Sequence, residues 1–260
     1  MTKAKDFNNG RPDDNELSGL PLLYKRPVPL DSNRHKEAGI RPVSDYSFAS
    51  DTNSLPLNTI ELIEAAKNYP VVFTNNESVM PVAVVGLEQK NIFIKNNGSW
   101  QENSYIPAYV RQYPFIFFER KEENKFYLCV DELSPHFAEK PEDGVSRFYN
   151  DDGKPTEFTD NALKFCTAFY QHHLITRNFC ADLQEHKLLQ PYQSEVTLKT
   201  GQKKQLSGFN MINEKAFNEL SDDVYLSFRK KGWIPFIYFM LASASNWKKI
   251  ADLEVARAAH

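Results

Sequence analysis

Apolar residues recur at helical spacing in some parts of this chain and form short strand-like runs in others. Ile60, Ile63 and Ala66 mark one face of a short helix, and Asn58 is a suitable N-cap residue for it. Polar turns separate the apolar runs that follow, which is typical of strands. Strands are therefore predicted at about residues 71–74, 80–87, 92–95 and 125–131.

The strongest helical pattern lies in the C-terminal half of the chain. A broad apolar face predicts a long helix over residues 159–189, ending before Pro191. Two apolar stretches flank Thr200-Gly201-Gln202, which predicts a β-hairpin. Gly232 is a typical C-terminal stop for a helix, and a last helix is predicted from about Pro235 to near Ala256.

A short phrase occurs twice, as Asn68-Tyr69-Pro70-Val71-Val72-Phe73 and Gln112-Tyr113-Pro114-Phe115-Ile116-Phe117. Each copy follows a helical pattern and precedes two apolar runs. The residue before a proline disfavours helical geometry, so Tyr-Pro marks a change from helix to strand. We predict two helix–strand–strand repeats that form a mostly antiparallel or mixed sheet. With the helix-rich C-terminal half, this predicts an α+β fold.

Composition divides the chain into four parts. Residues 1–19 are polar and rich in Asp, Asn and Gly, which predicts a disordered tail. Residues 20–131 form the predicted β-rich duplicated half, and residues 159–260 form the helical half with one hairpin. The segment 132–158 contains many acids and little periodicity, so we predict a connecting surface loop.

Charge and composition exclude several classes of protein. The net charge is −3 and the basic residues are spread along the chain, which argues against a nucleic-acid partner. The longest apolar run, Trp233–Ala242, is too short to span a membrane, and the N-terminus lacks the apolar core of a signal peptide. The three cysteines have no C-x-x-C spacing, as expected of reduced, buried thiols. We expect a cytoplasmic protein unless a signal-independent exporter handles it.

The best candidate site is the segment Asp131-Glu132-Leu133-Ser134-Pro135-His136. Two carboxylates and an imidazole follow a predicted strand, where functional groups often lie. Asp131, Glu132 and His136 could bind a divalent metal ion or exchange protons. The alternative is a solvated acidic turn. A second metal-ligand cluster of defined spacing is missing, so we expect neither a metal nor a cofactor.

Arg111 is a further candidate for ligand binding. It ends the second repeat helix just before Tyr-Pro, as Lys67 does in the first repeat. Arg111 either borders a cleft between the two halves or is a solvated base at a helix C-terminus, where the dipole favours it. The sequence has no G-x-S-x-G motif and no phosphate-binding glycine loop, so it favours a protein that is not an enzyme.

Ordered phrases along the chain resemble one known family. The phrases are Leu23-Tyr24-Lys25, Pro27-Val28-Pro29-Leu30, Tyr46-Ser47-Phe48-Ala49, Asn68–Phe73, Tyr105-Ile106-Pro107-Ala108-Tyr109-Val110-Arg111, Cys129-Val130-Asp131-Glu132, Asp151-Asp152-Gly153-Lys154-Pro155-Thr156 and Gly208-Phe209. Together they resemble the bacterial SapC family over about residues 20–253. That family is named after genes associated with a paracrystalline surface layer. Its genes often lie beside those for cupin-like oxygenases, flavin-dependent halogenases and outer-membrane receptors, which implies an accessory role without a defined reaction, cofactor or catalytic residue.

Two functions are therefore open at this point. The first is a non-enzymatic accessory protein that binds a protein or peptide partner in surface-layer or outer-membrane biology. The second is a small-molecule-binding protein or enzyme, working beside oxygenase or halogenase systems, with its site near the 131–136 acids. A deep pocket lined by those acids would favour the second function.

Overall fold

The computed structural model describes residues 20–76, 78–120, 125–197, 201 and 203–258, so the predicted tail at 1–19 lies outside the described residues. The strands in chain order are β1 Pro27–Pro29, β2 Gly39–Ile40, β3 Ser54–Pro56, β4 Val71–Thr74, β5 Pro81–Val84, β6 Phe115–Arg120, β7 Lys125–Asp131, β8 Phe137–Ala138, β9 Ser146–Arg147, β10 Leu189–Thr197 and β11 Lys203–Ile212. The helices are α1 Leu62–Ala65, α2 Ala108–Gln112, α3 Glu157–Glu185, α4 Glu214–Asn218, α5 Asp222–Lys231, α6 Ile234–Ser243 and α7 Trp247–Ala258. Helices and antiparallel sheets together confirm the α+β class, with the C-terminal half mostly helical.

The described residues form two compact units, each built from two segments of the chain. The first unit combines the residues up to Arg41 with Tyr113–Thr159, and the second combines Pro42–Gln112 with the residues from Asp160 onward. This grouping differs from the predicted halves at 20–131 and 159–260. The difference arises because β1 pairs with β7, so the start of the chain joins strands about a hundred positions later. The predicted loop at 132–158 contributes β8 and β9 to the first unit.

The first unit contains two small antiparallel sheets, with strand orders β1-β7-β6 and β8-β2-β9. Phe148 is completely buried within it. Its ring lies 5.9 Å from Phe115, 6.2 Å from Phe137 and 6.4 Å from Phe158, measured between centroids. Edge, tilted and stacked contacts of this kind add to the energy of apolar burial. The core of the unit is therefore a cluster of phenylalanine rings.

The second unit contains a five-stranded antiparallel sheet in the order β10-β11-β4-β5-β3. One face packs against helices: Phe73 in β4 lies 6.5 Å from Phe179 in α3. The Val71 backbone N–H, in the same strand, donates to Ser243 Oγ at the end of α6. On the opposite face, Trp247 at the start of α7 packs against the cluster that contains Val72. None of the described helices is both long and apolar enough to cross a membrane.

The predicted hairpin is confirmed, since β10 and β11 pair on both sides of residues 198–202. The long helix is also confirmed, but it ends at Glu185 rather than near residue 189. Lys187 takes a positive φ of 54°, and the Leu188 N–H then bonds to the Leu183 carbonyl. This hydrogen bond ends the helix, and β10 begins at the next residue, Leu189. Pro191 therefore lies in an edge strand, where its missing N–H is tolerated.

The single last helix predicted over 235–256 is wrong, because a 3-10 turn at Ala244–Asn246 divides it into α6 and α7. The Asn246 side-chain amide donates to the carbonyls of Ala66 and Tyr69, at 2.6 and 3.1 Å. These carbonyls belong to the segment that leads into β4. A contact with residues nearly two hundred positions earlier therefore sets the break, and local helical propensity does not reveal it.

The repeat predicted from the Tyr-Pro phrases is not confirmed. Each copy does lead from a short helix into an antiparallel strand pair, β4 with β5 and β6 with β7. The two pairs lie in different sheets and different units, so they do not form the single sheet that we predicted. The peptide bond before Pro114 is cis, which also distinguishes the second copy.

A β-bulge shapes the hairpin. Tyr192 pairs with Phe209 and Ser194 pairs with Leu206, so two residues of β11, Ser207 and Gly208, oppose one residue of β10. Gly208 has a φ of +87°, a conformation that glycine adopts without steric cost. Because a bulge bends the strand that carries it, β11 changes direction at this point.

We predict that Gly208→Ala lowers the free energy of unfolding by about 1–2 kcal/mol, since an L side chain disfavours positive φ. No heavy atom lies within 4 Å of the added Cβ, so the loss comes from the backbone and not from a clash. Gly208→Asn is the matched control and should lose less, because asparagine tolerates this conformation. Urea unfolding of the three proteins measures the differences. Equal losses for Ala and Asn would contradict the explanation.

Candidate functional site

Asp131, the first predicted site residue, is completely buried at the end of β7. Its Oδ1 accepts hydrogen bonds from the Arg26 N–H at 2.8 Å and the Leu133 N–H at 3.1 Å. Its Oδ2 accepts from the Lys25 N–H at 2.9 Å and from the Tyr113 hydroxyl at 3.3 Å. Four donors therefore satisfy this carboxylate. The solvated acidic turn considered for this segment is wrong for Asp131, because its side chain is buried. Its hydrogen bonds hold Lys25 and Arg26, the two residues before β1.

Glu132 is also nearly buried, and its carboxylate meets three basic side chains. Arg34 donates from Nε and Nη2, both at 2.7 Å, and Arg26 Nη2 lies at 3.2 Å. His35 Nε2 lies 3.1 Å from Glu132 Oε1, while its Nδ1 accepts the backbone N–H of Asp31. An Nδ1 that accepts carries no proton, so Nε2 donates to Glu132. Two guanidinium groups and an imidazole N–H thus surround this single carboxylate, which indicates a structural ion-pair network.

His136 lies in the turn that follows the two acids and is also buried. Its backbone N–H donates to Ser134 Oγ, and its carbonyl accepts the Arg41 N–H at 2.8 Å. Asp131 and Glu132 have different partners, so the turn does not direct the two carboxylates to one shared ligand. Among the residues that the structure describes, no group of three or more His, Cys, Asp or Glu side chains is placed to hold a metal ion.

Arg111, the fourth predicted residue, belongs to the second unit, whereas the other three belong to the first. Its Nη2 donates to the Tyr105 hydroxyl at 3.1 Å, and that hydroxyl lies 3.1 Å from Glu61 Oε1. The guanidinium also lies over the rings of Tyr105 and Phe165, at 5.7 and 5.4 Å from their centroids. Arg111 thus holds Tyr105 in place through a hydrogen bond and cation–π contacts.

Glu61 itself joins the starts of two short helical segments. Its Oε2 accepts the N–H of Asn58, and its Oε1 accepts the N–H of Ala108 at 2.6 Å. Asn58 precedes the 3-10 turn that leads into α1, and Ala108 is the first residue of α2. Burial raises the pKa of the Glu61 carboxyl, although these hydrogen bonds and Arg111 oppose the shift. Sequence analysis did not identify this residue as structural.

A cavity of about 490 Å³ lies over the second face of the five-stranded sheet, within the second unit. Its volume falls in the range of about 300–1,000 Å³ that is typical of ligand sites. Its large apolar residues include Val72, Val82, Val84, Phe209 and Trp247. Its side-chain amides belong to Asn53, Asn75, Asn76 and Gln205, and its hydroxyls to Ser54, Thr74 and Ser207. No charged residue is among the described residues that line it.

The strand register explains why these side chains meet. Ser54 pairs with Val84, Val82 with Val72, and Thr74 with Phe209. Paired residues on neighbouring strands point to the same face of a sheet, so this face carries an apolar centre with polar positions beside it. Trp247 stacks on Phe209 with 5.7 Å between ring centroids, and its buried Nε1 has no hydrogen-bond partner within the described part of the chain.

Sequence analysis missed this cavity. Its residues come from five separate segments between Asn53 and Trp247, and no motif joins them. The one available signal was Gly208, because an isolated glycine within a strand pattern often marks a bulge or a close approach.

A smaller cavity of about 300 Å³ lies beside α3 and includes Arg177 and Cys180. Burial raises the pKa of the Cys180 thiol to about 12. The thiolate is the nucleophilic form of cysteine, so this thiol is unreactive at neutral pH. The larger cavity is therefore the better candidate for a binding site.

Comparison with sequence models of known protein families matches residues 30–250 to SapC. The chain belongs to the SapC family. The matched segment contains every described residue that lines the larger cavity, so the cavity lies within the SapC region and not in an appended part. No curated protein and no solved structure matches the chain.

We predict that Asp131→Ala lowers the free energy of unfolding by at least about 3 kcal/mol, since it leaves three backbone N–H groups without their acceptor. Glu142→Ala is the control, because Glu142 forms an exposed pair with Arg41 that contributes about 1 kcal/mol or less. Chemical unfolding measures both. An Asp131→Ala protein of unchanged or higher stability would indicate a carboxylate retained for binding or catalysis instead.

The raised pKa of Glu61 predicts a pH-dependent contribution to stability. The folded state binds this proton more tightly than the unfolded state, so the contribution is complete below the unfolded pKa. It is lost as the pH rises through the folded pKa. The free energy of unfolding of the natural protein minus that of Glu61→Gln should therefore fall as the pH rises.

Urea unfolding over a pH series measures this difference, and Glu102→Gln is the control. Lys95 lowers the pKa of Glu102, so the corresponding difference for this exposed residue should change in the opposite direction. A Glu61 difference that grows with pH would mean that the hydrogen bonds from Asn58 and Ala108 outweigh burial.

Proposed function

We propose that this SapC-family protein is a non-enzymatic accessory protein that binds a protein or peptide partner. The lining of the larger cavity is the observation that supports this proposal. General acid–base catalysis needs side chains that titrate near the working pH, and the described lining residues include no acid, histidine, cysteine or basic residue. An apolar surface with neutral amides and hydroxyls is instead suited to holding an uncharged group.

The biological setting is proposed from family membership alone. A role beside surface-layer or outer-membrane systems follows from the name and gene neighbourhoods of SapC proteins. A cytoplasmic location is part of the same proposal. All three cysteines are buried thiols, as expected in a reducing compartment, and cell fractionation tests the location. The alternative, a small-molecule or catalytic site at residues 131–136, gains no support from the contacts of Asp131 and Glu132.

Affinity purification from the natural host, followed by mass spectrometry, tests the proposal. Ser207→Trp should fill the cavity with an indole from an exposed strand position. Ser146→Trp makes the same change at an exposed position of β9 in the first unit and serves as the matched control. We expect a specific partner with the natural protein and with Ser146→Trp, and recovery at least about tenfold lower with Ser207→Trp.

Two outcomes would count against the proposal. Recovery of no specific partner above background would contradict an accessory role through binding. Equal recovery with Ser207→Trp and Ser146→Trp would leave partner binding in place but would remove the cavity from it.

A further inference from the structure

Strand β11 has an unpaired edge beside the larger cavity. It pairs with β10 from Lys203 to Ile212, but it pairs with β4 only through Phe209 and Asn210. Within the described residues, the part of β11 before Gly208 therefore has a strand neighbour on one side only. The backbone groups on an open edge are ready to pair with another extended chain.

The bulge places this edge next to the cavity. Because Ser207 and Gly208 together oppose a single residue of β10, β11 bends where its pairing with β4 ends. Gln205 and Ser207, on the bent part, line the same cavity as Val72 of β4. The open edge and the apolar floor thus belong to one site.

An ion pair holds the bent part of the hairpin in position. Lys204 Nζ lies 2.5 Å from Glu88 Oε1, and the Lys204 side chain is only 16% exposed. Glu88 follows Leu87, which lines the cavity and whose own N–H is held by Glu254 of α7. Contacts within the chain therefore hold two walls of the cavity in place, which reduces the entropy that binding must overcome.

The polar side chains of the cavity match the main chain of a peptide. A primary amide both donates and accepts hydrogen bonds, as each peptide unit does. Asn53, Asn76 and Gln205 make no hydrogen bond through their side chains within the described residues, and each lines the cavity. The absence of charge among the lining residues disfavours a charged side chain at the centre, because nothing would compensate its desolvation.

We propose that the partner binds as an extended peptide segment that adds a strand to the free edge of β11 at Lys203–Ser207. An uncharged side chain of this segment occupies the cavity over Val72, Val84 and Trp247. Main-chain pairing supplies affinity and the cavity selects the side chain, which is the general logic of strand addition. This inference rests on the proposed function and specifies the partner's conformation and its point of attachment.

A displayed library of random short peptides, selected on the full chain, tests the inference with defined probes. Selected peptides should carry an uncharged apolar residue within an extended sequence. Their dissociation constants should rise at least about tenfold with Ser207→Trp and with the near-isosteric Gln205→Glu, and should stay unchanged with Ser146→Trp. The two test variants lie at exposed positions, so circular dichroism and urea unfolding should show folded proteins.

Amide hydrogen exchange distinguishes strand addition from other modes of binding. A bound peptide should slow exchange at backbone amides within residues 203–208, whereas residues of β9 in the first unit should be unaffected. Peptides that bind without this protection, or that bind Ser207→Trp normally, would overturn the inference and leave the proposed function standing. A captured cellular partner together with no selected peptide would also overturn it, since that partner would then be recognised as a folded surface. No captured partner and no selected peptide would reject both proposals.

Discussion

The second unit depends on how β11 divides its hydrogen bonds between two neighbours. Eight residue pairs join β11 to β10, but only two residue pairs join the hairpin to β4. Because the ladder with β4 is this short, the part of β11 before Gly208 is not paired with β4, and the space over Val72 is open. The bulge at Gly208 separates the paired part of β11 from the unpaired part. Its extra residue bends β11, while pairing with β10 continues on both sides of the bulge.

Elsewhere in the molecule, buried carboxylates connect segments that are distant in sequence. Asp131 holds the N–H groups of Lys25 and Arg26, which lie more than a hundred positions earlier in the chain. Glu61 joins Asn58 to Ala108 in the same way. Each acid is enclosed and each replaces water with backbone donors, which is how proteins keep a buried polar group without a large penalty. An acidic residue in the sequence is thus weak evidence for a catalytic or binding site until its hydrogen-bond donors are known.

Local signals predicted the local parts of this fold. Turn residues near Gly201 located the β10–β11 hairpin, and helical periodicity located α3, because both depend on neighbours in sequence. The break before α7 could not be predicted, since it depends on Asn246 reaching the carbonyls of Ala66 and Tyr69. The two Tyr-Pro phrases led to the prediction of a single sheet, because each phrase precedes an antiparallel strand pair. Long-range pairing places the two strand pairs in separate sheets. The partners of Asp131 and Glu132 could not be predicted, because Lys25, Arg26 and Arg34 lie about a hundred positions earlier in the chain. The cavity could not be predicted either, because only the tertiary fold brings its segments together.

The cavity lies beside β11 of the hairpin, and this has a consequence for how related sequences diverge. In the binding mode proposed above, the exposed side chains of Gln205 and Ser207 contact the peptide, while other residues, such as Phe73 and Phe179, form the core of the unit. With that binding mode, substitutions at these two positions would change ligand preference at little cost to stability, whereas substitutions in the core would destabilise the unit. A fold arranged in this way can acquire new specificities through drift at a few surface codons while its architecture stays constant.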